Sequence, residues 1–338
     1  MTNTGPFVPF AAIERGGIAE SQHFGVAVLA DSAGRRHGAW GDPEFVTFPR
    51  SALKPFQAVD LIESGALGAF GLNGEHLALA CASHYGEPFH AERVTEWLGA
   101  IGASGEDLAC GPALPGRLEM AHSYLRAGHG PSTILHNCSG KHTGFLTNAR
   151  HCGCKAEGYQ HPDHPLQQRY RAVFSRFLGS PADGLHWSRD DCTLPAPALS
   201  MLAMATAAAR FLEEARSAAD SAPARIVEAM RNHPLLVAGT GGVPQALGEA
   251  LRGRVIAKTG AEGYMLALMP AEGLALTLKV ADGNPRARDA ALVEILRQVG
   301  IADDSAAAQL MARLAPDILD SRRQPVGLIR PTVPKAAT

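Results

Sequence analysis

The sequence predicts an α/β (α+β) fold: an antiparallel sheet built from both chain ends and covered by helices, with a helical middle lobe between. Two observations carry this. Residues near both termini alternate apolar side chains with the period of two that half-buried strands show, whereas the long stretch between them repeats apolar residues at helical spacing. No repeat, low-complexity tract or long linker interrupts the 338 residues, so one composite domain over 1–338 is expected. Its sheet lobe would come from about 20–50 and 250–315, and its helical lobe from about 51–250.

Each element has its own local signal. Phe24 to Ala30 places Val26 and Val28 on one face, Asp31-Ser32-Ala33-Gly34 is a turn, and Arg35 to Trp40 returns as a partner strand. Arg254 to Ala257, Tyr264 to Met269 and Leu274 to Val280 supply three more strands, the last two joined by Pro270-Ala271-Glu272-Gly273. The N-terminal pair is expected beside the C-terminal three. Val94, Trp97, Leu98 and Ile101, and then Leu166, Tyr170, Val173, Phe174 and Phe177, follow amphipathic helical spacing. Further helices are expected at Ser200 to Ala215, Ala224 to Arg231, Arg286 to Val299 and Ser305 to Leu314, the last two covering the sheet. The end, Arg322 to Thr338, carries three prolines and is expected to be partly mobile.

Composition narrows the function. Charged residues make up 19% and the net charge is −2, so no global field draws the chain to nucleic acid or anionic lipid. A small-molecule or peptide substrate is favoured. Met1 to Glu20 lacks the basic-then-apolar order of a secretory signal, and Ala196 to Ala209 is too short to span a bilayer, so a cytoplasmic protein is expected. The six cysteines, Cys81, Cys110, Cys138, Cys152, Cys154 and Cys192, are then expected as buried thiols rather than disulfides. His151-Cys152-Gly153-Cys154 lacks the two-residue gap of a zinc knuckle.

The chemistry lies in serine and lysine. Ser51-Ala52-Leu53-Lys54 puts a hydroxyl and an amine one helical turn apart, so the amine can take the proton that makes the hydroxyl nucleophilic. Pro55 is tolerated only in a first turn, so a helix is expected to start at about Ser51, where free N–H groups could hold an oxyanion. Lys258-Thr259-Gly260 follows the expected strand at 254–257, and Ser83, in Cys81-Ala82-Ser83-His84-Tyr85-Gly86-Glu87, could pair with either lysine. His84 reads equally as a structural or a functional residue. Cys138-Ser139-Gly140-Lys141-His142 and Asp190-Asp191-Cys192 form a further constellation whose spacing alone gives zinc little support.

Four blocks together resemble the L-asparaginase II family, of the Rhizobium etli type. They are Arg50-Ser51-Ala52-Leu53-Lys54-Pro55-Phe56-Gln57, Ser83-His84-Tyr85-Gly86-Glu87, His136-Asn137-Cys138-Ser139-Gly140-Lys141-His142 and Lys258-Thr259-Gly260-Ala261-Glu262-Gly263. His233-Pro234 and Lys279-Val280-Ala281-Asp282-Gly283 recur with them in order. The resemblance implies a serine β-lactamase-like and glutaminase-like fold, hydrolysis of L-asparagine to L-aspartate and ammonia through an acyl-enzyme, and a homodimer. It implies two Ser-Lys pairs, Ser51 with Lys54 and Ser83 with Lys258, and a Zn2+ site of Cys138, Lys141 and Cys192 with Asp190 beside it. Arg50 and His142 are candidates for gripping the amino-acid head group. A lysine ligand must be a neutral amine, so zinc affinity should fall as pH drops, and a structural or substrate-orienting metal is expected.

Two departures bear on substrate preference. Tyr85 stands where a smaller residue is expected, and Gly241-Gly242-Val243-Pro244 where related chains often carry an arginine. The serine-aspartate-asparagine element of the β-lactamases is absent. A glutaminase or penicillin-recognising serine hydrolase is the nearest alternative, and a non-catalytic zinc-binding protein of the same fold is another.

Overall fold

The structure, a computed structural model, describes residues 5–337. It divides into two compact units, one built from the chain up to Ala52, Leu199–Glu213 and the chain from Val243 onward, the other from Leu53–Ala198 and Glu214–Gly242.

The first unit holds an eight-stranded antiparallel sheet. The five expected strands are present as Ile18–Ala30, Arg36–Trp40, Ile256–Thr259, Tyr264–Met269 and Leu274–Val280. The 18–30 strand joins the two chain ends. It pairs with Leu274–Val280 from Gly25↔Val280 to Ala30↔Ala275, and with Arg36–Trp40 through Ala27↔Trp40 to Ala30↔Arg36.

Strands at the extreme ends of the chain were not expected. Val8–Arg15 pairs with Ile18–Ala30 on one side and Pro325–Pro331 on the other, and Ile318–Leu319 closes the edge. Within Arg322–Thr338, expected to be partly mobile, Pro325–Pro331 is a paired strand; Thr338 lies outside the described residues. Two of the three prolines, Pro325 and Pro331, occupy the first and last positions of that strand, where little of the ladder is lost, and Pro334 lies beyond it.

Both faces of the central strands are covered. Leu276, Leu278 and Val280 share one core with Ala287, Ala290, Ala291, Leu292, Ile295 and Leu296 of helix Pro285–Gln298. The alanines keep that helix close to the sheet, while Leu292, Ile295 and Leu296, all wholly buried, each contribute about 1.5–3 kcal/mol. On the other face, buried Thr277 donates to the Met201 carbonyl at 3.0 Å, where helix Met201–Ser217 begins.

The second unit is helical around Ser139–Cys152, which is buried from Ser139 to Ala149. Such a helix must satisfy its own polar residues. Thr143 and Thr147 bond the carbonyls four residues back, at 2.9 and 2.7 Å, and Asn148 donates to Asp60 at 3.1 Å. The two expected apolar stripes pack here, on helices Pro88–Ala100 and Pro165–Leu178, although Val173 stays only half-buried. Phe56 of helix Lys54–Glu63 meets Phe174 and Phe177 edge-on. Among the described residues no helix is long and apolar enough to cross a membrane.

Candidate active site

The turn before Lys54 is tighter than expected. Arg50–Leu53 is a 3-10 turn, in which the Pro49 carbonyl accepts the Ala52 N–H at 3.1 Å, and the α-helix begins at Lys54 rather than at Ser51. Pro55 has no N–H to return to the Ser51 carbonyl, so the α-helical pattern cannot extend back through that serine. Arg50 adopts φ 54°, a left-handed conformation that costs a non-glycine residue energy.

Lys258 and Ser51 lie on adjoining segments of the first unit. Lys258 is almost wholly buried near the end of its strand and donates to the Thr259 carbonyl at 2.7 Å. Gly260 then passes so close to the Pro49 carbonyl that a Cβ there would collide with it, and would also stand 2.8 Å from Tyr264 Cβ. The glycine lets the strand end rest against the turn that carries Ser51.

In the second unit the Lys54 amine is wholly buried and fully engaged. It donates to Ser83 Oγ at 3.1 Å, to the Asn137 carbonyl at 3.3 Å and to the Ala82 carbonyl. The sequence allows Ser83 either lysine as a partner, and its hydroxyl accepts a hydrogen bond from Lys54. The Ser83 backbone is pinned by its N–H to the Val237 carbonyl at 2.9 Å, and Tyr85 repeats the contact with Ala238 at 2.8 Å. Tyr85 lies under the Arg117 guanidinium, 4.8 Å from the ring centroid, and against Gly239, which has no side chain to obstruct it. The bulk at position 85 is therefore accommodated by the glycines that follow Ala238.

Cys138, Lys141 and Cys192 converge in the same unit, all buried. Lys141 Nζ lies 2.8 Å from Cys192 Sγ. A hydrogen bond from Cys192, then Lys141 and Lys54, hold the Cys138 thiol well below the usual range against its burial. The same shared proton, with burial, pushes Cys192 up. Burial works against the charge on Lys141, but Cys138, Cys192 and Asp190 outweigh it and raise the amine above the usual lysine range. The two thiols thus share a proton, with negative charge favoured on Cys138, beside a Lys141 amine held toward its charged form.

These donors suit a borderline-soft divalent ion such as zinc: two sulfurs and an amine leave a fourth position open. Among the described residues no three His, Cys, Asp or Glu side chains converge to hold a metal, so such a site depends on Lys141 giving up a proton. None of the six cysteines is in a disulfide; Cys152 is exposed and Cys154 half-buried, which corrects the expectation that every thiol is buried.

His142 is wholly buried and bonds Tyr159 Oη through Nδ1 at 2.6 Å. Tyr159 accepts the Ala109 N–H at 2.9 Å, so its own proton points to Nδ1 and the His142 proton resides on Nε2. Nε2 has no partner. Burial, then Lys141, push His142 well below the usual histidine range, so it is neutral. A neutral ring with a spare N–H suits a carbonyl oxygen better than a carboxylate. Tyr159 and the carbonyls of Ala82 and Asn137 were not singled out in the sequence; Asn137 sits within a motif block, whereas Tyr159 has no local signal.

A family model described as L-asparaginase II matches residues 11–331. No curated protein matches the chain. Among solved structures a β-lactamase from Mycobacterium bovis is similar, at 14% identity, over 81% of this chain and 94% of that one, with a TM-score of 0.41, too remote to carry a functional argument.

Proposed function

The chain belongs to the L-asparaginase II family, and from that premise we propose that it is an L-asparaginase of the Rhizobium etli type, converting L-asparagine and water to L-aspartate and ammonia. Beyond the family match, the observation that carries the reading is the buried Lys54 amine on the Ser83 hydroxyl. A lysine taken wholly out of water beside a serine is a costly arrangement that serves nucleophile activation.

In this reading Lys54 acts as the neutral amine, keeping its two protons on the Ala82 and Asn137 carbonyls and turning its lone pair to the serine hydroxyls: Ser51 attacks the side-chain carboxamide, Lys54 takes the hydroxyl proton, and that proton leaves with ammonia. Water then resolves the acyl-enzyme. Ser83 and Lys258 relay protons and hold developing charge, with Arg50 and His142 orienting the substrate. A second reading, in which Ser83 itself is acylated, is favoured by the Lys54–Ser83 hydrogen bond. Cys138, Lys141 and Cys192 would hold Zn2+ with Asp190 beside it, and the metal would orient substrate or stiffen the site. A cytoplasmic homodimer, with no nucleic-acid or membrane partner, completes the proposal.

The test is ammonia release from asparagine, glutamine and a chromogenic cephalosporin compared side by side, with the acyl-enzyme trapped and located by peptide mass. Asparagine should be preferred. Near-full activity in both Ser51→Ala and Ser83→Ala would exclude serine catalysis, and preferred turnover of glutamine or the cephalosporin would move the assignment to the corresponding hydrolase.

A further inference from the structure

His84 has no role in the chemistry above, yet its side chain is among the most tightly determined in the second unit. It is 2% exposed. The Gly86 N–H donates to Nδ1 at 3.1 Å, so the ring proton is on Nε2, which donates to Ser139 Oγ at 2.9 Å. Burial, then His90 and Lys54, push His84 well below the usual histidine range, which keeps this tautomer. His90 stacks on it at 4.8 Å and is fixed likewise, its Nδ1 accepting the Glu87 N–H at 3.2 Å and its Nε2 donating to the Leu235 carbonyl at 3.1 Å.

The partner hydroxyl is placed with equal care. Ser139 directly follows Cys138, and its own N–H is held by the His136 carbonyl at 2.9 Å. One residue further, Gly140 packs against Leu79 so closely that a Cβ would meet the Leu79 carbonyl. Residues 82–84 and 137–139 are therefore tied together twice. Lys54 bridges Ser83 and Asn137, and His84 reaches Ser139.

We propose that His84 is a positioning residue for the Ser-Lys chemistry: its Nε2–H bond to Ser139 fixes the Ser83 hydroxyl against Lys54 and locks both to the helix start that carries Cys138 and Lys141. This deepens the serine-lysine reading and rests on it. Loss of the bond frees one of two ties, and a displacement of about 1 Å at a reacting group costs on the order of 100-fold in rate.

The experiment compares His84→Phe, His84→Gln, Ser139→Ala and the His84→Phe/Ser139→Ala double variant in the full chain. Three readouts are taken: kcat and KM on asparagine, the rate of serine labelling by a fluorophosphonate followed by intact mass, and thermal unfolding. His84→Phe and Ser139→Ala should each lower kcat and the labelling rate by about 100-fold with KM nearly unchanged. The double variant should be no worse than the poorer single, because both remove one bond. His84→Gln, whose amide can reach toward Ser139, should recover most of the loss.

Ring 15N spectra should show the Nε2–H tautomer, with its shift moved by Ser139→Ala. Labelling needs no asparagine turnover, so a wild type that labels but releases no ammonia sinks the substrate assignment and leaves the positioning role standing. Losses that multiply in the double variant, unchanged labelling in His84→Phe, an Nδ1–H tautomer, or losses in His84→Gln that match His84→Phe and follow the fall in thermal stability would each overturn the proposal.

Discussion

Lys54 Nζ stands 3.1 Å from Ser83 Oγ, and that amine is wholly buried. Its other protons go to carbonyl oxygens of Ala82 and Asn137, so the lysine serves architecture as well as chemistry. Lys54→Met keeps the length of the side chain and removes the donors. It should lower kcat by about 10²–10⁴, the range for loss of a positioned proton acceptor. Two carbonyls left without partners should cost about 1–3 kcal/mol each. Ammonia release and denaturant unfolding on the same sample separate the two losses; a stable variant with near-normal kcat would remove Lys54 from the mechanism.

Gly260 gives the cleanest test of the segment carrying Ser51. A methyl group there meets the Pro49 carbonyl and stands 2.8 Å from Tyr264 Cβ, and neither neighbour is a flexible side-chain end. Gly260→Ala should destabilise by about 1–3 kcal/mol through overpacking and slow turnover by shifting the Ser51 turn. Unchanged melting temperature together with unchanged kcat is the outcome that contradicts this.

The sheet was legible where alternation was strong. Leu274, Leu276, Leu278 and Val280 announce a strand, and its bounds agree with the expectation to the residue. Val8–Arg15 and Pro325–Pro331 were missed because their burial comes from pairing with each other across the whole chain, a fact that no local window contains. The same holds for the site. Ser51, Lys54, Ser83 and Lys258 carry a motif signal, but Lys54 satisfying Ala82 and Asn137, and Tyr159 fixing the tautomer of His142, are tertiary contacts between residues with no local pattern. Pro55 marks a first turn and so points to an α-helix start at about Ser51, but its missing N–H displaces the start to Lys54.

Acid should destabilise the protein early. His84, His90 and His142 are all held below the usual histidine value, each chiefly by burial. Below about pH 6.5 the unfolded chain takes up protons that the folded chain refuses, so stability is highest above that pH and falls as pH drops toward the depressed folded values. Thermal unfolding should therefore weaken between about pH 6.5 and 5, before the carboxylates titrate. His84→Gln should flatten this slope. A melting temperature that is constant over that interval would contradict the assignment of neutral buried rings.

Metal binding should release a countable number of protons. Cys138 is held toward its thiolate, whereas Cys192 and Lys141 are both held toward their protonated forms. Coordination requires a thiolate and a neutral amine, so each must give up one proton. Zinc binding near neutral pH should thus expel about two protons per ion, measured by titration calorimetry in buffers of different ionisation enthalpy. Lys141→Met leaves the two sulfurs and should lower the count to about one while weakening affinity. A wild-type count near zero would mean that zinc binds elsewhere, because occupying this cluster must at least displace the proton held by Cys192.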